Sequence, residues 1–184
     1  MTGDAENGYT FTNSHTPETI NIEGTKTWND ANDQDGKRPG KITVNLLADG
    51  DIYATKEVTE ADGWKYNFTD LPKYKNGNKI TYTITEDTVE DYQTLVNGYD
   101  ITNSYTPGKT SVSVTKTWDD ADNQDGKRAR NIKVRLLADG NVVADSEVDL
   151  SDANNWSHTW SDLDINKNGS PIEYTVEEIT SVEG

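Results

Sequence analysis

The sequence repeats itself once, and this restricts the possible folds more than any other feature. "TKTWNDANDQDGKR" at residues 25–38 returns as "TKTWDDADNQDGKR" at 115–128. "LLADG" occurs at 46–50 and again at 136–140, and "TYTITE" at 81–86 corresponds to "EYTVEE" at 173–178. The offset is 90 at Lys26/Lys116 and 92 at Glu86/Glu178, which places a two-residue insertion near 151–155. So long a period exceeds one solenoid unit, and each copy is expected to be a domain with its own core.

Both copies read as all-β. "KITVNLLADG" and "NIKVRLLADG" alternate apolar and polar residues and then reach Asp-Gly, a hairpin signal. "WKYNF", "WSHTW", "ITYTIT" and "IEYTVE" keep the same two-residue period, and no stretch keeps a helical one. Short strands separated by Gly, Asn and Asp clusters predict a small β-sandwich in each copy. First strands are expected at 19–28 and 111–118, and a last strand at 99–105.

Alternation then assigns faces. Lys26 shares a face with Ile20, Ile22 and Trp28, and Lys116 with Val112, Val114 and Trp118. Glu86 is in phase with Ile80, Tyr82 and Ile84, and Glu178 with Ile172, Tyr174 and Val176. Asn103 is in phase with Tyr99, Ile101 and Tyr105, while the opening segment offers Tyr9, Phe11, Asn13 and His15 in the same way. Taken singly, such a lysine snorkels to the rim, such a glutamate forms a partly buried ion pair, and such an asparagine ties down backbone. Taken together, they permit a reaction. A desolvated lysine loses its proton more readily, a desolvated glutamate keeps one and polarises the Asn carbonyl, and amine attack expels ammonia to leave a Lys–Asn isopeptide bond. No metal or cofactor is needed.

The "TKTWxDxxxQDGKRP" opening, the "YTITE" strand and the "ITNSYTP" ending resemble the Cna B-type domain, and the resemblance covers essentially the whole chain. It implies two immunoglobulin-like β-sandwich domains in tandem, of the kind that form stalks in Gram-positive surface adhesins and pilins. It also implies an extracellular, cell-wall location and a self-formed isopeptide between first and last strands. Transferred by motif, Lys26, Asn103 and the catalytic Glu86 form one site, and Lys116 with Glu178 supplies two-thirds of another. Such chemistry is a single autocatalytic turnover, not enzyme activity. Ala129 and Arg130 replace Pro39 and Gly40 of the first copy, in a loop away from these residues.

The two ends of the chain read as two sides of one cut loop. "GYTFTNSHTPE" at 8–18 resembles "GYDITNSYTPG" at 98–108, the ending of the first repeat. The expected division is a last-strand segment at 1–17, a complete domain at 18–108, and a domain at 109–184 without its own last strand. Asn13 is then the expected partner of Lys116 and Glu178, supplied either within one chain as a closed two-domain ring or by a neighbouring copy in a head-to-tail filament.

Composition narrows the partners. A formal charge of −16 opposes nucleic acid and anionic membrane. The absence of cysteine removes disulfides and thiolate metal sites. "DINKNG" at 164–169 resembles the start of a calcium loop, but Thr175 stands where a bidentate Glu is needed, so a polar turn is expected. His15 and His158 lack metal spacing and are expected at the rim. A stalk module, with neighbouring repeats of a parent protein as its partners, accounts for the near-identical copies. The alternative is an adhesive module that binds a host glycan or matrix protein through its loops.

Overall fold

Alternating side chains and Asp-Gly turns produce an all-β chain, which the computed structural model describes over residues 1–179. The last five residues of the expected second domain, 180–184, lie outside the described residues. β1 (Thr2–Asp4) and β2 (Gly8–Thr10) form a hairpin of their own. There follow β3 (Thr19–Asn29), β4 (Lys41–Ala48), β5 (Asp51–Thr59), β6 (Lys65–Pro72), β7 (Tyr74–Lys75), β8 (Asn78–Lys79), β9 (Tyr82–Glu86), β10 (Gln93–Asn97) and β11 (Asp100–Ser104). The second copy contributes β12 (Lys109–Thr115), β13 (Asn131–Ala138), β14 (Asn141–Val142), β15 (Val148–Ser151), β16 (Ser157–Asp164), β17 (Asn166–Lys167), β18 (Ser170–Pro171) and β19 (Tyr174–Glu178).

In the first copy, one sheet has the order β10-β11-β3-β6 and the other β5-β4-β9. Ile22, Tyr66, Phe68 and Ile101 from the first sheet pack against Ile42, Val44, Leu46, Val58, Tyr82 and Ile84 from the second. Only β3 and β11 run parallel among these neighbours, with Lys26 opposite Ile101 and Asn103 opposite Trp28. The second copy buries Ile132, Val134, Leu136, Leu150, Trp156 and Trp160. There β13 pairs β14, β15 and β19, and β12 pairs β16. Among the described residues, no strand lies on the other edge of β12.

The turns follow their residue types. Asp49 and Gly50 both have positive φ, as do Asp139 and Gly140, the requirement of a tight two-residue hairpin. Asn168 and Gly169 turn between β17 and β18 in the same way, so 164–169 is a polar hairpin. No cluster of metal-ligating residues occurs among the described residues. The "NDANDQDGKR" loop contains three successive left-handed residues, Ala31, Asn32 and Asp33, and the second copy repeats this at Ala121, Asp122 and Asn123. Each loop is held by a two-pronged ion pair. Arg38 donates to both carboxylate oxygens of Asp30 at 3.0 and 2.7 Å, and Arg128 to those of Asp120 at 2.9 and 2.6 Å.

Contacts group Met1–Asn29 with Pro39–Ser104, and Asp30–Arg38 with the chain from Tyr105 onward. Within this second unit, Asp35 accepts hydrogen bonds from the Tyr105 hydroxyl, the Gly108 amide and the Asn166 side chain. The expected extended segment at Tyr9–His15 forms a strand only over Gly8–Thr10. A strand persists where an edge pairs with it, and β1 offers just three residues.

One close approach supports the last hairpin of the first domain. The Tyr66 hydroxyl crosses over Gly24 and donates to the Tyr99 carbonyl. A Cβ on Gly24 would collide with that carbonyl and would lie 2.5 Å from the Tyr66 ring. Gly24→Ala is therefore expected to destabilise the first domain by about 1–3 kcal/mol, measured by urea unfolding. The second copy has Val114 opposite His158 at this place and makes no such crossing. Burial pushes the Tyr66 hydroxyl up to about 12, with Asp100 and Glu86 adding to the effect. The unfolded chain loses this proton near the ordinary tyrosine value of about 10, before the folded chain does. Stability is thus expected to be complete below about pH 10 and to fall between about pH 10 and 12. Thermal melts across that window should show a shallower decline in Tyr66→Phe.

Candidate functional site

β3 extends one residue beyond Trp28 because β11 lies alongside it, and this brings Lys26 beneath the last strand. The Lys26 amide also donates to the Trp64 carbonyl at 2.7 Å, which pins the position of the side chain. Lys26 Nζ donates to Glu86 Oε1 at 2.6 Å, and both side chains are 0% exposed. Glu86 reaches this point from β9, in the opposite sheet, where it pairs with Val44 of β4. The ion pair therefore spans the sandwich at one end of the core.

Asn103 is also 0% exposed, and neither its Oδ1 nor its Nδ2 has a hydrogen-bond partner among the described residues. An unsatisfied buried amide costs about 1–3 kcal/mol, so its presence calls for an explanation. Asn103 lies on the same inner face as Ile101, the residue opposite Lys26. Lys26 and Asn103 thus stand diagonally across two neighbouring strands, a separation within reach of a lysine side chain.

The surroundings are aromatic. Lys26 Nζ lies 4.3 Å from the centre of the Trp28 ring. Trp28 meets Trp64 edge-on at 5.2 Å and Tyr92 at 5.1 Å. Burial pushes the Lys26 ammonium below its ordinary range, against the opposing pull of Glu86. An amine that yields its proton, a carboxylate to receive it and a carboxamide without other bonds are the components of amide exchange.

The second copy assembles part of this arrangement. The Lys116 amide donates to the Trp156 carbonyl at 2.8 Å, as Lys26 does to Trp64. Lys116 Nζ donates to Glu178 Oε2 at 3.1 Å and lies 4.7 Å from the Trp118 ring centre. Yet β12 ends at Thr115, and the Lys116 and Glu178 side chains are 25% and 33% exposed. Asn13 is exposed, lies in a stretch without strand pairing and groups with the first unit. His158 packs edge-on against Trp160.

Side-chain alternation along the sequence does not reveal the Trp28, Trp64 and Tyr92 enclosure, the Asp30–Arg38 fork, or Thr94, whose hydroxyl donates to Glu86 Oε2 at 2.9 Å. Two of these left a trace in the repeat. Trp28/Trp118 and Trp64/Trp156 recur, as do Asp30/Asp120 and Arg38/Arg128.

Comparison with known proteins agrees with this architecture. Residues 22–104 and 112–184 each match the family model described as Cna protein B-type domain. The collagen adhesin of Staphylococcus aureus is 56% identical over 173 residues, covering 94% of this chain. The chain spans only 14% of that relative's length. A crystal structure of two B repeat units (B1B2) of the collagen binding protein of S. aureus matches with 54% identity and a TM-score of 0.50. That match covers 93% of this chain and 46% of the other. A single B repeat unit of the same protein matches at 54% identity over 91% of this chain and 89% of the other, with a TM-score of 0.48.

Proposed function

We propose that this chain, which belongs to the Cna protein B-type domain family, is a structural stalk segment of an adhesin on a Gram-positive cell surface, and that an isopeptide bond between Lys26 and Asn103 locks its first domain. The observation that carries this reading is the buried Asn103 amide, without a hydrogen-bond partner among the described residues, on the strand beside the fully buried Lys26–Glu86 pair.

The chemistry balances without a cofactor. Lys26 passes a proton to Glu86, which neutralises both groups where solvation is poorest. The free amine attacks the Asn103 side-chain carbonyl carbon while the Glu86 proton supports the developing oxyanion. The attacking nitrogen gives up a proton, which reaches the Asn103 amide nitrogen through Glu86; the carbon–nitrogen bond to that nitrogen breaks, and the ammonia released takes the remaining proton from Glu86. In sum, an ammonium and a primary amide become a secondary amide and an ammonium ion, and Glu86 returns to its starting state. The event happens once per site, consistent with domains that are structural rather than enzymatic.

Intact-mass spectrometry under denaturing conditions should show the loss of one ammonia, and peptide mapping should recover a branched peptide joining Lys26 to Asn103. Recovery of both residues only in separate, unmodified peptides would overturn the reading.

The edge of β12, unpaired among the described residues, and the part-exposed Lys116–Glu178 pair support a further step, in which the opening segment of a neighbouring copy supplies Asn13. A heterologous contact of this kind grows head to tail. Denaturing gels should then show ladders that disappear in Asn13→Ala. A monomer-mass species with Lys116 joined to Asn13 would establish the closed ring instead, and free side chains at both positions would remove covalent complementation. The adhesive alternative draws on the name of the collagen adhesin relative, and saturable binding of collagen or a host glycan by this chain would favour it.

A further inference from the structure

We infer that Thr94 is a positioning residue for the Lys26–Asn103 reaction, holding through its hydroxyl the orientation of the Glu86 carboxyl plane towards the lysine. This rests on the isopeptide reading above.

Glu86 has two oxygens with distinct tasks. Oε1 receives the Lys26 ammonium at 2.6 Å, and Oε2 receives the Thr94 hydroxyl at 2.9 Å. The terminal torsion of a glutamate is broad and roughly two-fold, so an unrestrained carboxyl group turns its plane away from the lysine. A donor on one oxygen removes that freedom. Thr94 is also placed to hold the carboxyl relative to the amide, because it lies directly opposite Asn103 in the β10–β11 pairing. One residue thus links the strand that carries the amide to the carboxyl group from the other sheet. Thr94 belongs to an edge strand that is exposed along its whole length, Thr94 included, and Leu95 and Val96 beside it face solvent. Its hydroxyl is directed at the most buried polar cluster of the domain, which general surface polarity does not require.

The reaction is sensitive to such placement, since small displacements of a reacting group cost large factors in rate. Thr94→Val keeps the shape and the β-branching and removes only the donor. Thr94→Ser restores the donor without the methyl group. Samples taken during cell-free synthesis, denatured at once and weighed, give the rate at which ammonia is lost. Thr94→Val is expected to slow this about tenfold or more, and Thr94→Ser to restore most of the wild-type rate. The same valine change in an Asn103→Ala background, where no bond forms, should leave the urea midpoint unchanged.

A wild-type rate in Thr94→Val would overturn the inference, and so would a serine variant as slow as the valine one. A fall in the midpoint of the unlinked protein that matches the slowing would assign Thr94 a purely structural role, also overturning it. Complete absence of the bond in the wild-type chain would instead defeat the isopeptide reading itself, a result distinguishable from all of these.

Discussion

Replacing Glu86 with glutamine is expected to yield a folded first domain in which Lys26 and Asn103 stay separate. The substitution preserves volume at a fully buried position, and β9 keeps its pairing with β4 through the backbone. What is lost is the group that, in the proposed reaction, takes the lysine proton and returns one to the amide. General acid–base assistance contributes roughly 10²–10⁴-fold, so bond formation should slow by about that factor. Burial already pushes the Lys26 ammonium below its ordinary range, and the substitution removes the opposing pull of the carboxylate. Intact mass checks the bond and circular dichroism the fold. Undiminished crosslinking in Glu86→Gln would show that proximity within the strands suffices, or that another group moves the proton.

Asn103→Ala should show how much the bond stabilises the domain. The Asn103 amide makes no hydrogen bond among the described residues, so its removal sacrifices little besides packing volume. Any large loss of stability then reports the missing covalent tie. Closing a loop of about 78 residues is worth roughly 4 kcal/mol by analogy with disulfides. For a domain of this size that corresponds to a melting-point decrease of roughly 15–30 °C. Calorimetry should resolve it as a downward shift of one transition, with that of the second copy unmoved. Equal melting of the two proteins would mean that the wild-type chain carries no bond.

The contrast between the two copies shows which features sequence alone could determine. The tetrapeptide "TKTW" occurs in both. In the first it lies within an eleven-residue strand that ends at Asn29, whereas in the second the strand ends at Thr115. Local propensity is the same, and the difference is the neighbour, since β11 pairs with Lys26–Asn29 and β12 has no counterpart to it among the described residues. For the same reason the alternation at Tyr9–His15 produces only two paired residues, Tyr9 and Thr10. Alternation does determine which way a side chain faces once a strand exists, and so the inward direction of Lys26, Glu86 and Asn103 could be read from the chain. It does not determine what lies across the sandwich. The Thr94 hydroxyl on Glu86 and the Tyr92 ring on Trp28 depend on the return path of β10, which no two-residue period encodes.

The parallel pairing of β3 and β11 also determines how the domain bears tension. A pull applied at Glu18 and Tyr105 draws these neighbouring strands past each other lengthwise, so their ladder is loaded in shear and all rungs resist together. With the side chains of Lys26 and Asn103 joined, the load passes from one strand to the other through that single amide. Residues 27–102 then lie outside the path of the force. In a single-molecule extension trace, a domain without the bond would lengthen by roughly 250–270 Å when those residues unravel. The bonded domain would withhold that length altogether and behave as a nearly inextensible link.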